Sequence, residues 1–228
     1  PRRPRRGDRT RGECAGAAEQ FRCVLAHRPD HLRARLDLAH CLLELGQFAR
    51  ARQTLEFERP PIDHVRARTA TVAARIERAL GHSGRTQLDN AIALLGPGAD
   101  PHVRMHVLLD QGEADDPQAT LCRCDEVLEM ALALEFAGVA MKARLLRAHA
   151  LSRIGQTEAA ATAMRELVPL LSTVQPADLY LGHAWWLAAQ VFEASGDGDE
   201  ALMALAHGAQ WVRRVALPNV PEEFRDSF

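Results

Sequence analysis

The sequence predicts an all-α protein built as a stack of helix hairpins, and three observations carry that reading. Runs of β-branched residues bounded by turn residues, the mark of strands, are nearly absent. Apolar residues make up 47% of the 228 residues but aromatics only 5%, so the core has to be alanine and leucine. Such a core suits helices that approach closely. Glycines also recur at a fixed period, with Gly12, Gly46 and Gly81 spaced 34 and 35 residues apart, the length of a repeated helix pair.

Other residues keep step with these glycines. Ala17 and Ala51 each lie five positions after Gly12 and Gly46, and Phe21 and Leu55 follow four later. Pro29 lies 17 after Gly12, just before the next helix, while Ala39 and Leu42 precede Gly46 by seven and four. Two later units carry the same marks: Ala148, Leu151, Gly155 and Ala160, then Trp185, Ala189, Phe192, Gly196 and Ala201. Small residues on both helices let them cross closely, so Ala17, Ala39, Ala51, Ala148, Ala189 and Ala201 are expected at buried crossings. A glycine after the first helix can take the left-handed conformation that ends it. A proline at the next start needs no N–H partner.

This pattern resembles the tetratricopeptide repeat, most closely over 12–57 and 182–208. The resemblance implies a right-handed superhelix of antiparallel hairpins, a TPR-like solenoid. Between the clear units, 64–80, 86–95 and 116–135 read as helices, the last capped by an aspartate, and Asp100 can cap a further helix with Pro101 at its first position. About eleven helices in six hairpins result. Residues 12–216 form the array, 217–228 an extended tail, and 1–11 a basic arm or the remnant of a lost first helix. The arm has no apolar stripe, so the first hairpin is expected to be incomplete, through truncation or because the chain is a fragment. Phe21, Val24 and Leu25 then present an apolar face open to self-association.

The arm's six arginines could touch phosphates, but a disordered end is the plainer reading, and nucleic acid is not an expected partner. Five cysteines are expected as buried thiols in a reducing cytoplasm. No signal peptide or membrane-length apolar run is seen.

Catalytic motifs are missing, and the expectation is no enzyme, no cofactor and no metal. The single lysine, Lys142, lies in AMKARLL, so there is no phosphate-binding Gly-Lys-Ser/Thr loop. GHSGR at 81–85 reads as a turn between helices. His102 and His106 are four apart on one helix and could share a metal, but lack an evident third ligand. Cys122 and Cys124 point to separate helix faces, and His27 and His31 bracket Pro29. Asp115-Asp116 sits at a helix start and Glu222-Glu223 in the tail.

Where tetratricopeptide arrays bind, the first helix of each hairpin lines the groove. The resemblance places Lys142, Leu145, His149, Ser152 and Arg153 there in one unit, and His183, Trp186, Gln190 and Glu193 in the last. It places Arg33, Leu36, His40, Leu43 and Glu44 there in the unit starting at Leu32. If Trp185 sits between helices, its neighbour Trp186 faces the groove. Leu36 and His40 stand where a Lys/Asn carboxylate clamp would begin, against a co-chaperone role. The candidate ligand or partner residues are therefore Lys142, His149, Arg153, His183, Trp186 and Gln190. The tail LPNVPEEFRDSF and the stretch LALEFAGVAMKARLLRAHAL resemble helical arrays of large bacterial signalling proteins and maltose-regulator-like activators. That likeness implies a non-enzymatic interaction and regulatory module, binding a protein, a peptide or a neighbouring domain of a larger chain. The alternative is a sensor with a small effector in the groove, and an unrecognised helical enzyme ranks third.

Overall fold

The computed structural model describes residues 11–56, 63–96, 98–114, 116–173, 179–220, 222 and 226. Among them there are eleven α-helices and no strand. The helices are α1 (Arg11–His27), α2 (Leu32–Glu44), α3 (Phe48–Thr54), α4 (Asp63–Ala79), α5 (Arg85–Leu94) and α6 (Pro101–Ala114). They continue as α7 (Pro117–Ala133), α8 (Ala137–Arg153), α9 (Thr157–Thr173), α10 (Leu181–Ser195) and α11 (Gly198–Trp211). Consecutive helices pair as hairpins, α2 with α3, α4 with α5, α8 with α9 and α10 with α11. The chain forms two compact units, one of 1–110 with 216–228 and one of 111–215.

The repeat glycines end helices. Gly46, Gly81, Gly155 and Gly196 have φ of 74°, 88°, 86° and 86°. After each, the next residue's N–H bonds a carbonyl five back, as in Gln47 to Leu42 (2.8 Å) and Asp197 to Phe192 (2.9 Å). This is the cap that a left-handed glycine permits. Gly12 departs from the set, lying in the first turn of α1. Glu135 does the same job without being glycine: its φ is 59°, and Phe136 N–H reaches Ala131 O at 2.8 Å. The helix expected to run through 135 therefore stops at Ala133. A Cβ in the left-handed region costs about 1–2 kcal/mol. Glu135→Gly is expected to raise stability by about 1 kcal/mol, read as a higher urea midpoint with unchanged slope.

Starts follow the expected chemistry. Asp116 caps α7 by accepting from Gln118 and Ala119 N–H, at 3.0 and 3.1 Å, and Asp100 accepts from His102 N–H at 2.9 Å. His31 caps α2, its Nδ1 accepting from Ala34 N–H at 3.1 Å, while His27 Nδ1 lies 2.9 Å from Cys23 O. The two imidazoles thus serve different helix ends.

Ala39, Ala51, Ala148, Ala189 and Ala201 are buried, whereas Ala17 is only partly so. The buried stripe of α1 runs instead through Cys14, Ala15 and Ala18, leaving Ala17 on its flank. Cys14, Cys41 and Cys124 are buried thiols, but Cys23 and Cys122 are exposed, on the outward faces of α1 and α7. All five stand outside any disulfide.

The apolar face of α1 is covered in part by the chain's own end. After α11, Leu217–Asn219 make a short 3-10 turn against α1. Val220, 1% exposed, is buried with Cys14, Ala18, Leu38 and Leu42. Phe21 and Leu25 pack against the same cluster, and of the three residues expected to lie open only Val24 is largely exposed. Phe224 and residues 1–10 lie outside the described residues.

Ion pairs tie hairpins within each unit. Arg68 of α4 reaches Asp37 of α2 at 3.3 Å, and Arg75 of α4 reaches Asp110 of α6 at 2.8 Å. In the second unit Arg165 of α9 meets Asp197 and Glu200, each at 2.7 Å, and lies over the Phe192 ring.

Candidate functional site

Alanine and leucine bury most of α8 and the back of α10. On α8, Lys142, His149 and Arg153 share one side, while Arg147 leaves from another and meets Asp125 at 2.8 Å. On α8, Leu145 and Ser152, expected to line the groove, are buried and support the face instead. His149 is half-buried and Arg153 exposed, one turn apart. On α10, His183 and Gln190 are half-buried on either side of Trp186.

The adjacent tryptophans divide as expected. Trp185 is 4% exposed and stacks on His207 of α11, with ring centres 4.8 Å apart and planes at 19°. A Cβ on Gly208 would lie only 3.1 Å from Trp185 Cβ, so the hairpin closes tightly there. Trp186 is 47% exposed. His183 stacks on it at 5.6 Å and 23°, and His149 approaches from α8 at 6.3 Å and 44°. The indole is therefore held by an imidazole from each helix while much of it stays open to solvent.

The electrostatics are uneven. Burial first, and then the Arg153 charge, push His149 below its ordinary 6.5, while a side-chain hydrogen bond with Gln190 and the charge of Glu113 oppose the shift. The neutral form of His149 is therefore favoured. A base lowered on folding takes its proton more readily in the unfolded chain. It therefore withdraws stability as pH falls below about 6.5, and His149→Gln is expected to flatten stability measured between about pH 7.5 and pH 5.5. A proton NMR titration should place the His149 midpoint below 6.5.

Lys142 differs from the others. Its ammonium pairs with Glu113 of α6 at 3.2 Å, and both side chains are largely covered. The pair lies within the second unit and occupies the ammonium, leaving Arg153 as the exposed cation among the six. Glu113 was not legible as a neighbour of the site, because it comes from a segment distant in sequence.

The other sequence candidates stay apart from this face or do structural work. His102 and His106 bring their Nε2 atoms within 3.3 Å, but among the described residues no group of three His, Cys, Asp or Glu forms. Burial, with the charges of Asp125 and Glu113, pushes the Cys124 thiol up to about 12, which suits a core thiol rather than a nucleophile. Residues 81–84 form the turn between α4 and α5. In the unit at α2, Leu36 and Leu43 are buried, His40 and Glu44 half-buried, and Arg33 pairs with Asp37 at 3.7 Å. Among the described residues no helix is long and apolar enough to cross a membrane.

The tetratricopeptide repeat family matches residues 10–56. Among solved structures, the fold is similar to a Podosopora anserina kinesin light chain with nearly identical TPR-like repeats. The TM-score is 0.52 at 18% identity, covering 82% of this chain and 99% of that one. No curated protein matches in sequence. The chain is a tetratricopeptide-like helical array.

Proposed function

We propose that the chain is a non-enzymatic interaction module of a cytoplasmic bacterial signalling or transcription-regulatory protein. The face of α8 and α10 takes an extended peptide segment from a partner or from a neighbouring domain. Trp186 carries the reading. An indole left 47% exposed while two imidazoles hold it in place is an ordered apolar anchor, the kind of residue that dominates interfaces. Arg153 adds an exposed cation, and Gln190 and His149 add neutral hydrogen-bonding groups, so a segment with an apolar residue next to an acidic one fits best. Five cysteines outside any disulfide suit a reducing compartment. A small-effector site encloses most of its ligand, and an indole this open does not enclose one.

The test is selection of binders from a phage-displayed random peptide library on the full chain, followed by fluorescence anisotropy with the enriched sequences. Trp186→Ala is expected to weaken them by about 2 kcal/mol or more, roughly thirtyfold. Arg153→Glu should weaken acidic binders selectively. Binders that hold equally well to the Trp186→Ala chain would remove this face from the function.

A further inference from the structure

α11 carries its small residues inward and its large ones outward. Ala201, Ala204 and Gly208 are buried, while Leu202, Met203 and Leu205 are 66%, 57% and 49% exposed. The preceding hairpin shows what these positions ordinarily meet. Counted from the left-handed glycines Gly155 and Gly196, Ala161 and Met164 of α9 correspond to Leu202 and Leu205 of α11. Ala161 and Met164 are fully buried, because α9 is packed by both α8 and α10. On α11 the same two positions lie open, and they hold larger apolar side chains.

The open face has a seam and a charge pattern. Asp199, Leu202, Ala206 and Ala209 of α11, and Arg213 of the π-helical turn Val212–Ala216 that follows it, are all exposed and follow one another at steps of three, four, three and four, the spacing of a two-helix seam. An acid stands at one end and a base at the other, with Arg214 exposed beside it. Ala206 lies midway, where a small residue lets two helices approach. A two-fold axis through Ala206 lays α11 antiparallel to itself. Each Asp199 then faces the other copy's Arg213, and Leu202 of each copy packs over Ala209 of the other. Parallel pairing would bring like charges together.

We infer that α11 is a self-association surface, pairing antiparallel with α11 of a second copy of this chain. The arrangement is isologous, so one patch serves both partners and the assembly closes at two. It uses a helix face separate from the Trp186 face.

Sedimentation velocity of the full chain across roughly a hundredfold range of concentration tests this. The mass is expected to rise from 25.1 kDa toward twice that value. Leu202→Glu combined with Leu205→Glu should weaken association by at least about tenfold, with the far-ultraviolet circular dichroism of the parent. Asp199→Arg alone, and Arg213→Asp with Arg214→Asp, should each weaken it several-fold, and the three together should restore it. Val24→Glu on α1, at an exposed position, should leave association unchanged. A chain monomeric throughout overturns the inference and leaves this face to a helix of a different protein. A dimer indifferent to the leucine substitutions, or charge variants whose combination is no better than either part, overturns it equally.

Discussion

Arg75→Met is expected to lower the free energy of unfolding by about 3–5 kcal/mol, the usual loss when one partner leaves a buried ion pair. Asp110 of α6 is 1% exposed. Arg75 Nε donates to one of its carboxylate oxygens at 2.8 Å and Nη2 to the other at 3.0 Å, a two-point contact that fixes orientation as well as charge. Arg78 adds a longer bond to the Asp110 carbonyl at 3.3 Å. Methionine keeps most of the arginine stem's packing and deletes the charge, so the loss reports the two-point contact with Asp110. The converse change, Asp110→Leu, should cost less, because the Arg75 side chain is 25% exposed and can turn toward water. The double variant should recover most of the loss, since an apolar pair of similar volume often matches a buried ion pair. Urea unfolding of the four chains measures this directly. A single-variant loss below about 1 kcal/mol, the range of exposed pairs, would show that the contact is not buried in solution.

That pair also marks where the sequence stopped being readable. The helices and their ends were legible because each rests on a local rule. Four repeat glycines sit in the left-handed conformation their spacing implied, and Asp116 and Asp100 cap the helices they precede. The division of Trp185 from Trp186 followed from helical geometry, since neighbours cannot share a face. Contacts between distant segments were not legible. Nothing near Asp110 announces Arg75, nothing near Lys142 announces Glu113, and nothing in the tail announces that Val220 packs on α1. Glu135 was missed for another reason. A non-glycine residue in the left-handed region has no signature of its own, so helix-forming neighbours hid the turn.

The step from fold to site shows the same boundary. Six residues were expected on one face, and the structure sets His149 and His183 beside the Trp186 indole, with Gln190 hydrogen-bonded to His149 and Arg153 one turn along α8 from it. Position in the repeat dictates which way a side chain leaves its helix, and that part is periodic. Whether the group then stays open depends on what packs beside it, which is how Lys142 came to be largely covered by its pairing with Glu113.

Gly84→Ala is expected to cost about 3–4 kcal/mol, summing the strain of a left-handed alanine and the overpacking of a closed crossing. Gly84 precedes α5 at φ 64° and ψ 6°. An ideal Cβ there would stand 2.5 Å from the backbone oxygen of Ala74 and 3.1 Å from its Cα. Ala74 lies inside α4 and is fully buried, so no rotamer change can make room. Either α4 and α5 move apart or the turn rebuilds. Gly81 supplies the comparison from within the same turn. Its φ is 88°, equally left-handed, but a Cβ at Gly81 meets nothing within 4 Å. Gly81→Ala should therefore cost only the conformational part, about 1–2 kcal/mol. The difference between the two isolates the close approach of the α5 start to the α4 backbone, which the residues GHSG alone could not reveal. Thermal unfolding of both variants beside the parent reads it out, and equal losses would show that backbone conformation, not the approach to Ala74, is what Gly84 provides.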